Sequence, residues 1–201
     1  RTFPSSKRAR ANVLNSTADP NGAALRLQAY LARSGVASRR ASEGLILSGR
    51  VSVNGEVVTV LGTKVVLPDD VAVDGAAVAP ESRLHYLALH KPPEYLCSSS
   101  DPQGRRLALE LLPPEIGERL YNVGRLDYRS SGLILFTNDG DFAAAVSHPS
   151  AEIEKEYLVE STVPIPDRML EEFGAGVEIE GVLYRCRRIE RLGRKSVRVV
   201  L

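Results

Sequence analysis

Apolar residues from Leu25 onward recur in two rhythms. In LRLQAYLARSG, Leu27, Tyr30 and Leu31 keep the spacing of one helix face, and Gly35 is placed to end the helix. A second helix is predicted directly after it, capped by Ser38, with Leu45, Ile46 and Leu47 as its apolar side and Gly49 as its stop. RVSVNGEVVTV then switches to alternation. Val51 and Val53 lead into Asn54-Gly55, the strongest short-range hairpin signal, and Val57, Val58 and Val60 follow. Asp69-Asp70 and Asp74-Gly75 mark turns on either side of a short strand, Val71 to Val73. Two helices and a small sheet predict a compact module over residues 25–84, including a short linker.

HYLALHKPPEYLCSSSD opens a second unit, 85–201. A strand through Tyr86, Leu87 and Leu89 is stopped by Pro92-Pro93, and a helical segment, Leu107 to Leu112, is ended by Pro113-Pro114. LILFTN reads as a buried strand and DGDFAAAVSH as a turn and helix, with His148-Pro149 as the stop. EKEYLVEST reads as a strand, VPIPDRMLEEF as a loop and helix, and EGVLYRCRRIERLGRKSVRVVL as two strands joined near Gly193. Without regular βαβ alternation, the pattern predicts an α+β fold whose second domain carries a mixed, largely antiparallel sheet.

Charge changes the picture more by its distribution than by its total, which is a formal +1 over 201 residues. Residues 1–58 hold nine Lys or Arg against three Asp or Glu, whereas residues 101–201 hold 14 against 17. The first 24 residues are rich in Arg and Ser and read as a basic, disordered tail, a composition that an organelle transit peptide shares. No apolar run approaches the roughly 20 residues that span a bilayer, so no membrane partner is expected. Cys97 and Cys186 match no metal or redox spacing, and His85, His90 and His148 add no metal pattern. Reduced, small buried cysteines in a cytoplasmic protein are expected.

Arg39 and Arg40 follow the cap Ser38 directly. Two cations in the first turn of a helix work against its dipole, which a phosphate held by both guanidinium groups and the exposed backbone N–H groups would offset. Arg50 and the Asn54-Gly55 turn continue that surface. A solvated charged face is the alternative. The order of the pieces, LRLQAYLARSGVASRRASEGLILSGRVSVNGEVV, resembles the S4-like RNA-binding domain. The resemblance rests on Arg26-Leu27, Ser38-Arg39-Arg40, Gly49-Arg50-Val51 and Val53-Asn54-Gly55. It implies contact with structured RNA through shape and phosphates, with Arg26, Ser38, Arg39, Arg40, Arg50 and Asn54 on the RNA face.

GRLDYRSSGLILF places Asp127 two residues after Arg125, so on an extended chain both side chains share a face. A structural ion pair is one reading. The small residues Ser130, Ser131 and Gly132 support another, because they let a bulky partner approach the carboxylate. GRLDYRSSGLILFTNDGD is similar to the central motif of the ribosomal RNA pseudouridine synthases, in the branch whose catalytic domain follows an S4-like module. HKPPEYLCSSSD resembles that family's first motif, and EKEYLV the motif with Lys and Tyr two apart.

The resemblance implies isomerisation of uridine to pseudouridine in ribosomal RNA with no cofactor or metal, by a monomer acting on one or a few uridines. Asp127 would be the essential carboxylate, with Arg125 filling the gap left by a flipped base. Tyr157 would stack on the target ring, and Lys155 and Lys91 would lie at the substrate. Glu94 stands where the family usually has Gly, so the first turn is expected to differ. CSSSDPQGRR and LYNVGRLD lean slightly toward large-subunit members. The family continues beyond a strand like SVRVVL into a basic segment whose arginine pairs with the carboxylate. Arg194 and Arg198 do not match that arginine, so an incomplete catalytic domain, with little activity from residues 1–201 alone, is expected. The alternative function is a non-catalytic RNA-binding or ribosome-associated protein, which leaves residues 85–160 unexplained.

Overall fold

The computed structural model describes residues 24–201, and nearly all of the basic tail lies outside the described residues. The chain divides into two compact units, one ending at Ser147 and the other running from His148 to Leu201. The fold is α+β with antiparallel sheets.

In the first unit, β1 (Leu25–Arg26) leads into α1 (Leu27–Arg33) and α2 (Arg39–Leu47). Ser38 caps α2 as expected, its Oγ accepting from the Ala41 N–H at 3.2 Å. The strands β2 (Val51–Val53), β3 (Glu56–Val57), β4 (Lys64–Val65), β5 (Val71–Val73) and β6 (Ala76–Val78) follow. They form a β3-β2-β5-β6 sheet and a short β1-β4 pair. The hairpin at Asn54-Gly55 forms because both residues adopt positive φ, 51° and 83°. Leu27, Tyr30, Leu31, Ile46, Val51, Val65 and Val71 make the core of this module. Two expectations shift. Three consecutive residues cannot share one helix face, so Ile46 is buried while Leu47 points outward, and β3 ends at Val57 with Val60 exposed.

The same unit continues with β7 (Tyr86–Lys91), a 3₁₀ turn at Ala108–Leu111, β8 (Tyr121–Val123), β9 (Gly132–Thr137) and α3 (Gly140–Ser147). β9 is the centre of a β7-β9-β8 antiparallel sheet. The helix expected over Leu107 to Leu112 is only that 3₁₀ turn, and β8 was not foreseen. The apolar LILF run is not buried throughout: Ile134 and Phe136 enter the core with Leu87 and Leu89, whereas Leu133 is exposed. Alternation along a half-covered sheet explains the difference.

In the second unit, β10 (Glu156–Glu160) precedes α4 (Asp167–Ala175), and a hairpin of β11 (Val177–Ile179) and β12 (Val182–Tyr184) follows. β13 (Arg188–Gly193) and β14 (Ser196–Val200) complete the unit. β14 lies between β10 and β13, and Val197, Val199 and Cys186 pack against Leu170 and Phe173 of α4. No helix among the described residues is long and apolar enough to cross a membrane.

Candidate active site

The chain leaves β8, turns at Gly124 (φ 74°) and returns into β9 at Gly132. Between these points the backbone is pinned on both sides of Asp127. The Leu126 N–H donates to the Cys97 sulfur at 3.4 Å, and the Leu126 side chain packs on the sheet core. The Tyr128 carbonyl accepts from the Glu94 N–H at 2.6 Å, and the Ser130 N–H closes the loop onto the Asp127 carbonyl at 3.1 Å. Asp127 itself is exposed. Among the described residues of its unit, its carboxylate has no hydrogen-bond or ion-pair partner. Arg125 is equally exposed and does not pair with it, so a structural ion pair is not the role of this step. A fixed backbone with a free carboxylate suits a group that meets an incoming partner, since no internal bond must first be broken.

Lys91, expected at the substrate, is fully buried, and its ammonium donates to the carbonyls of Pro92 at 3.0 Å and Tyr95 at 2.9 Å. It shapes the turn that carries Glu94, whose φ of 66° is the left-handed conformation that a Gly would adopt without strain. Through the Glu94 N–H, that turn supports the Asp127 loop from behind.

Beside this turn, Arg105 grips Asp101 through Nε at 3.0 Å and Nη2 at 2.7 Å, and those bonds hold the Asp101 carboxyl down at about 2. Arg106 lies 5.7 Å from the Tyr95 ring centroid, donates from Nη1 to the Tyr95 hydroxyl at 3.4 Å and has no carboxylate bonded to it. Arg106 was missed from sequence. The Asp and Arg four apart around Gly104 were the available signal, since that spacing commits Arg105 and leaves its neighbour free.

In the module, the expected RNA-facing residues separate into two groups. Arg26, Arg39 and Arg40 are exposed and have no acidic partner among the described residues of their unit. Arg50 instead clasps Asp74 through two nitrogens, Nε at 2.9 Å being one, and lowers that carboxyl's affinity for a proton. The Asn54 amide donates to Asp69 at 3.0 Å and accepts from the Asp70 N–H at 2.9 Å. Arg50 and Asn54 therefore hold the sheet, and Ser38 holds its helix.

In the second unit, Tyr157 is half-buried on β10 opposite Val199. The Lys155 backbone pairs with Leu201, extending that ladder, while its exposed ammonium donates to the Ile153 carbonyl at 3.2 Å. Two positions apart on one extended segment, both side chains project to the same side of the strand.

Residues 85–194 match the family model for RNA pseudouridylate synthase, and residues 25–72 match that of the S4 domain. An uncharacterised RNA pseudouridine synthase of Borreliella burgdorferi is 40% identical over 180 residues, which cover 88% of this chain and 72% of that protein. Proteins named ribosomal large subunit pseudouridine synthase B in Bacillus subtilis and Vibrio cholerae are 42% and 40% identical, over 77% and 86% of this chain. The chain spans 63% and 55% of their respective lengths. A solved structure described as a pseudouridylate synthase shares the fold, with a TM-score of 0.59 at 23% identity over 88% of this chain and 76% of the other.

Proposed function

Because the chain belongs to the RNA pseudouridylate synthase family, we propose that it isomerises uridine to pseudouridine in ribosomal RNA. In that reaction the bond from ribose to N1 of the base breaks and a bond from the same carbon to C5 forms. C5 loses its proton and N1 gains one, so no redox partner or cofactor is consumed. The observation that carries the reading is Asp127, exposed, without a partner in its unit and pinned through Leu126 and Tyr128. A carboxylate that acts at the sugar or base must be reachable, and the exposed Asp127 is.

A uridine in folded RNA must leave its stack to reach Asp127, and Arg125, also without a partner, is suited to occupy the gap. Tyr157 would stack on the extruded ring with Lys155 beside it, while Lys91 acts at one remove by supporting the loop. Arg26, Arg39 and Arg40 would hold RNA phosphates. The two relatives named for the large subunit favour large-subunit RNA as the substrate, at one or a few uridines. We expect a monomer in the cytoplasm, where the buried, unpaired Cys97 and Cys186 would stay reduced.

The test is to incubate the full-length protein with unmodified ribosomal RNA from cells lacking it and to map pseudouridine by carbodiimide treatment and primer extension. A stop at one defined uridine, absent with Asp127→Asn, is expected. Tight, salt-sensitive binding with no stop in either ribosomal RNA would replace this reading with that of an RNA-binding protein.

A further inference from the structure

Within the first unit a cleft of about 360 Å³ opens between the S4 domain and the part of the fold formed by β8, whose following loop carries Asp127, and α3. Small apolar residues line it, Ala29 and Ala32 on α1 and Ala143 and Ala144 on α3. Tyr121, at the start of β8, and the arginines Arg33, Arg39 and Arg119 line it as well. Burial and the Asp139 carboxylate raise the proton affinity of the Tyr121 phenol, against the opposing pull of the Arg39, Arg119 and Arg33 guanidinium groups.

The charge there is incompletely compensated. Arg33 pairs with Asp141 at 2.6 Å, but Arg39 and Arg119 have no carboxylate bonded to them among the described residues of their unit. Asp139, the nearby acid, already accepts from the backbone N–H groups of Asp141 and Phe142 and from the Tyr86 hydroxyl at 2.7 Å. The space also depends on a glycine: a Cβ at Gly140 would lie 3.4 Å from the Tyr121 hydroxyl and 3.5 Å from Nη2 of Arg39. Any longer side chain there would enter the gap between the ring and the guanidinium.

The two walls are joined. The Glu81 N–H donates to the Arg33 carbonyl at 2.9 Å, and the Glu81 carboxylate accepts from the amide of the buried Asn138 at 2.8 Å. The cleft is thus a formed feature, and its lining matches that of a single-nucleotide site: an aromatic ring, small apolar residues and two guanidinium groups, Arg39 and Arg119, with no carboxylate bonded to them among the described residues of their unit.

Resting on the reading of the protein as an RNA-modifying enzyme, we propose that this cleft holds a second nucleotide of the RNA substrate. Its base lies against Tyr121 and its phosphate between Arg39 and Arg119. Tyr121 and Asp127 are six residues apart, at most about 20 Å along an extended chain, so one RNA strand can reach both with a few nucleotides between them. The S4 domain and the catalytic half would then grip the RNA jointly, and the cleft would help select which uridine arrives at Asp127.

The experiment uses the full-length protein and a ribosomal RNA stem-loop containing its target. Affinity is measured across a salt series, together with the single-turnover rate at saturating RNA, for wild type, Arg119→Ala, Arg119→Lys, Gly140→Met and Asp127→Asn. Arg119→Ala and Gly140→Met should each weaken binding about tenfold, the scale of losing one stacked base, with a smaller fall in rate. Arg119→Ala should lower the salt slope by about one, and Arg119→Lys should restore it. Asp127→Asn should do the reverse, binding well and turning over nothing. Wild-type affinity for both cleft variants would overturn the proposal, as would an effect of Arg119→Ala alone, which would leave only surface attraction. A wild type that binds but forms no pseudouridine defeats the isomerase reading, while the affinities still decide the cleft.

Discussion

Arg50 and Asp74 lie 24 residues apart in the chain and hold each other across the module's sheet, whereas Arg125 and Asp127, separated by one residue, do not touch. Both sets are exposed, so burial does not explain the difference. Backbone geometry does: β2 and β5 pair antiparallel beside Arg50, which brings Asp74 to it, while Leu126 is drawn into the core between its two neighbours. The pair in the module fixes a hairpin to its sheet. The loop residues Arg125 and Asp127 have no such partner among the described residues of their unit, which is what the proposed contact with RNA requires.

The sharpest way to break this contrast is to neutralise each aspartate. Asp127→Asn should lower uridine conversion by at least about 1000-fold, the scale of removing a group that acts in the bond-breaking step. It should leave the thermal midpoint in place, because no partner is orphaned. Asp74→Asn should retain conversion. Equal losses of activity in the two variants would show that the pairing seen in the structure does not separate scaffold from site.

A second substitution acts on what holds the loop. Lys91→Met keeps the bulk but leaves the Pro92 and Tyr95 carbonyls without their buried donor, at a cost of about 2 kcal/mol. Urea denaturation measures that loss. Activity should fall with it, since the turn it shapes supports Tyr128 through Glu94. A stable variant with full activity would return Lys91 to an ornamental position.

Sequence carried the first of these residues more clearly than the second. Asp127 stood out because GRLDYRSSGLILFTNDGD resembles the central motif of the pseudouridine synthases, while Ser130, Ser131 and Gly132 gave only the local hint of an open loop. The burial of Lys91 was not legible. It depends on Pro92 and Tyr95 folding their carbonyls back over the strand end, and that follows from the Glu94 turn and from contacts with a loop more than 30 residues away. The hairpins at Asn54-Gly55 and Asp74-Gly75 were readable, since positive φ at both turn residues is a local demand. The engagement of Arg50 and Asn54 by acids 24 and 15 residues away was not. β8 was hidden by its three-residue length, and the exposed face of β9 by an apolar run that suggested burial on both sides.

A smaller effect compares arginines within the S4 domain. Arg39→Gln should weaken RNA binding several-fold and reduce the dependence of log affinity on log salt by about one, as expected for a lost phosphate contact. Arg50→Gln should leave that slope close to wild type, because its charge already faces Asp74. Fluorescence anisotropy over a salt series reads both, and a steeper loss for Arg50 would reverse the assignment of scaffold and RNA face.

The smallest effect concerns a third arginine and aspartate, Arg105 and Asp101, which behave like the pair in the module although they border the Asp127 loop. Hydrogen bonds from Arg105 hold the Asp101 carboxyl at about 2, below the ordinary value of 3.8. A carboxyl depressed in the folded state contributes stability above its unfolded value, and that contribution is lost as pH falls through the folded one. The window is therefore pH 4 down to about 2. Because Arg105 is 42% exposed, solvent screens the pair and the contribution is modest. Arg105→Gln should be less stable than wild type at pH 5, and the gap should narrow as the pH is lowered through that window, measured by urea midpoints at each pH. A gap of constant size would mean that Arg105 orders the loop by packing alone. Arg106, held by Tyr95 in either case, would then owe its free charge to the ring and not to its neighbour's pairing.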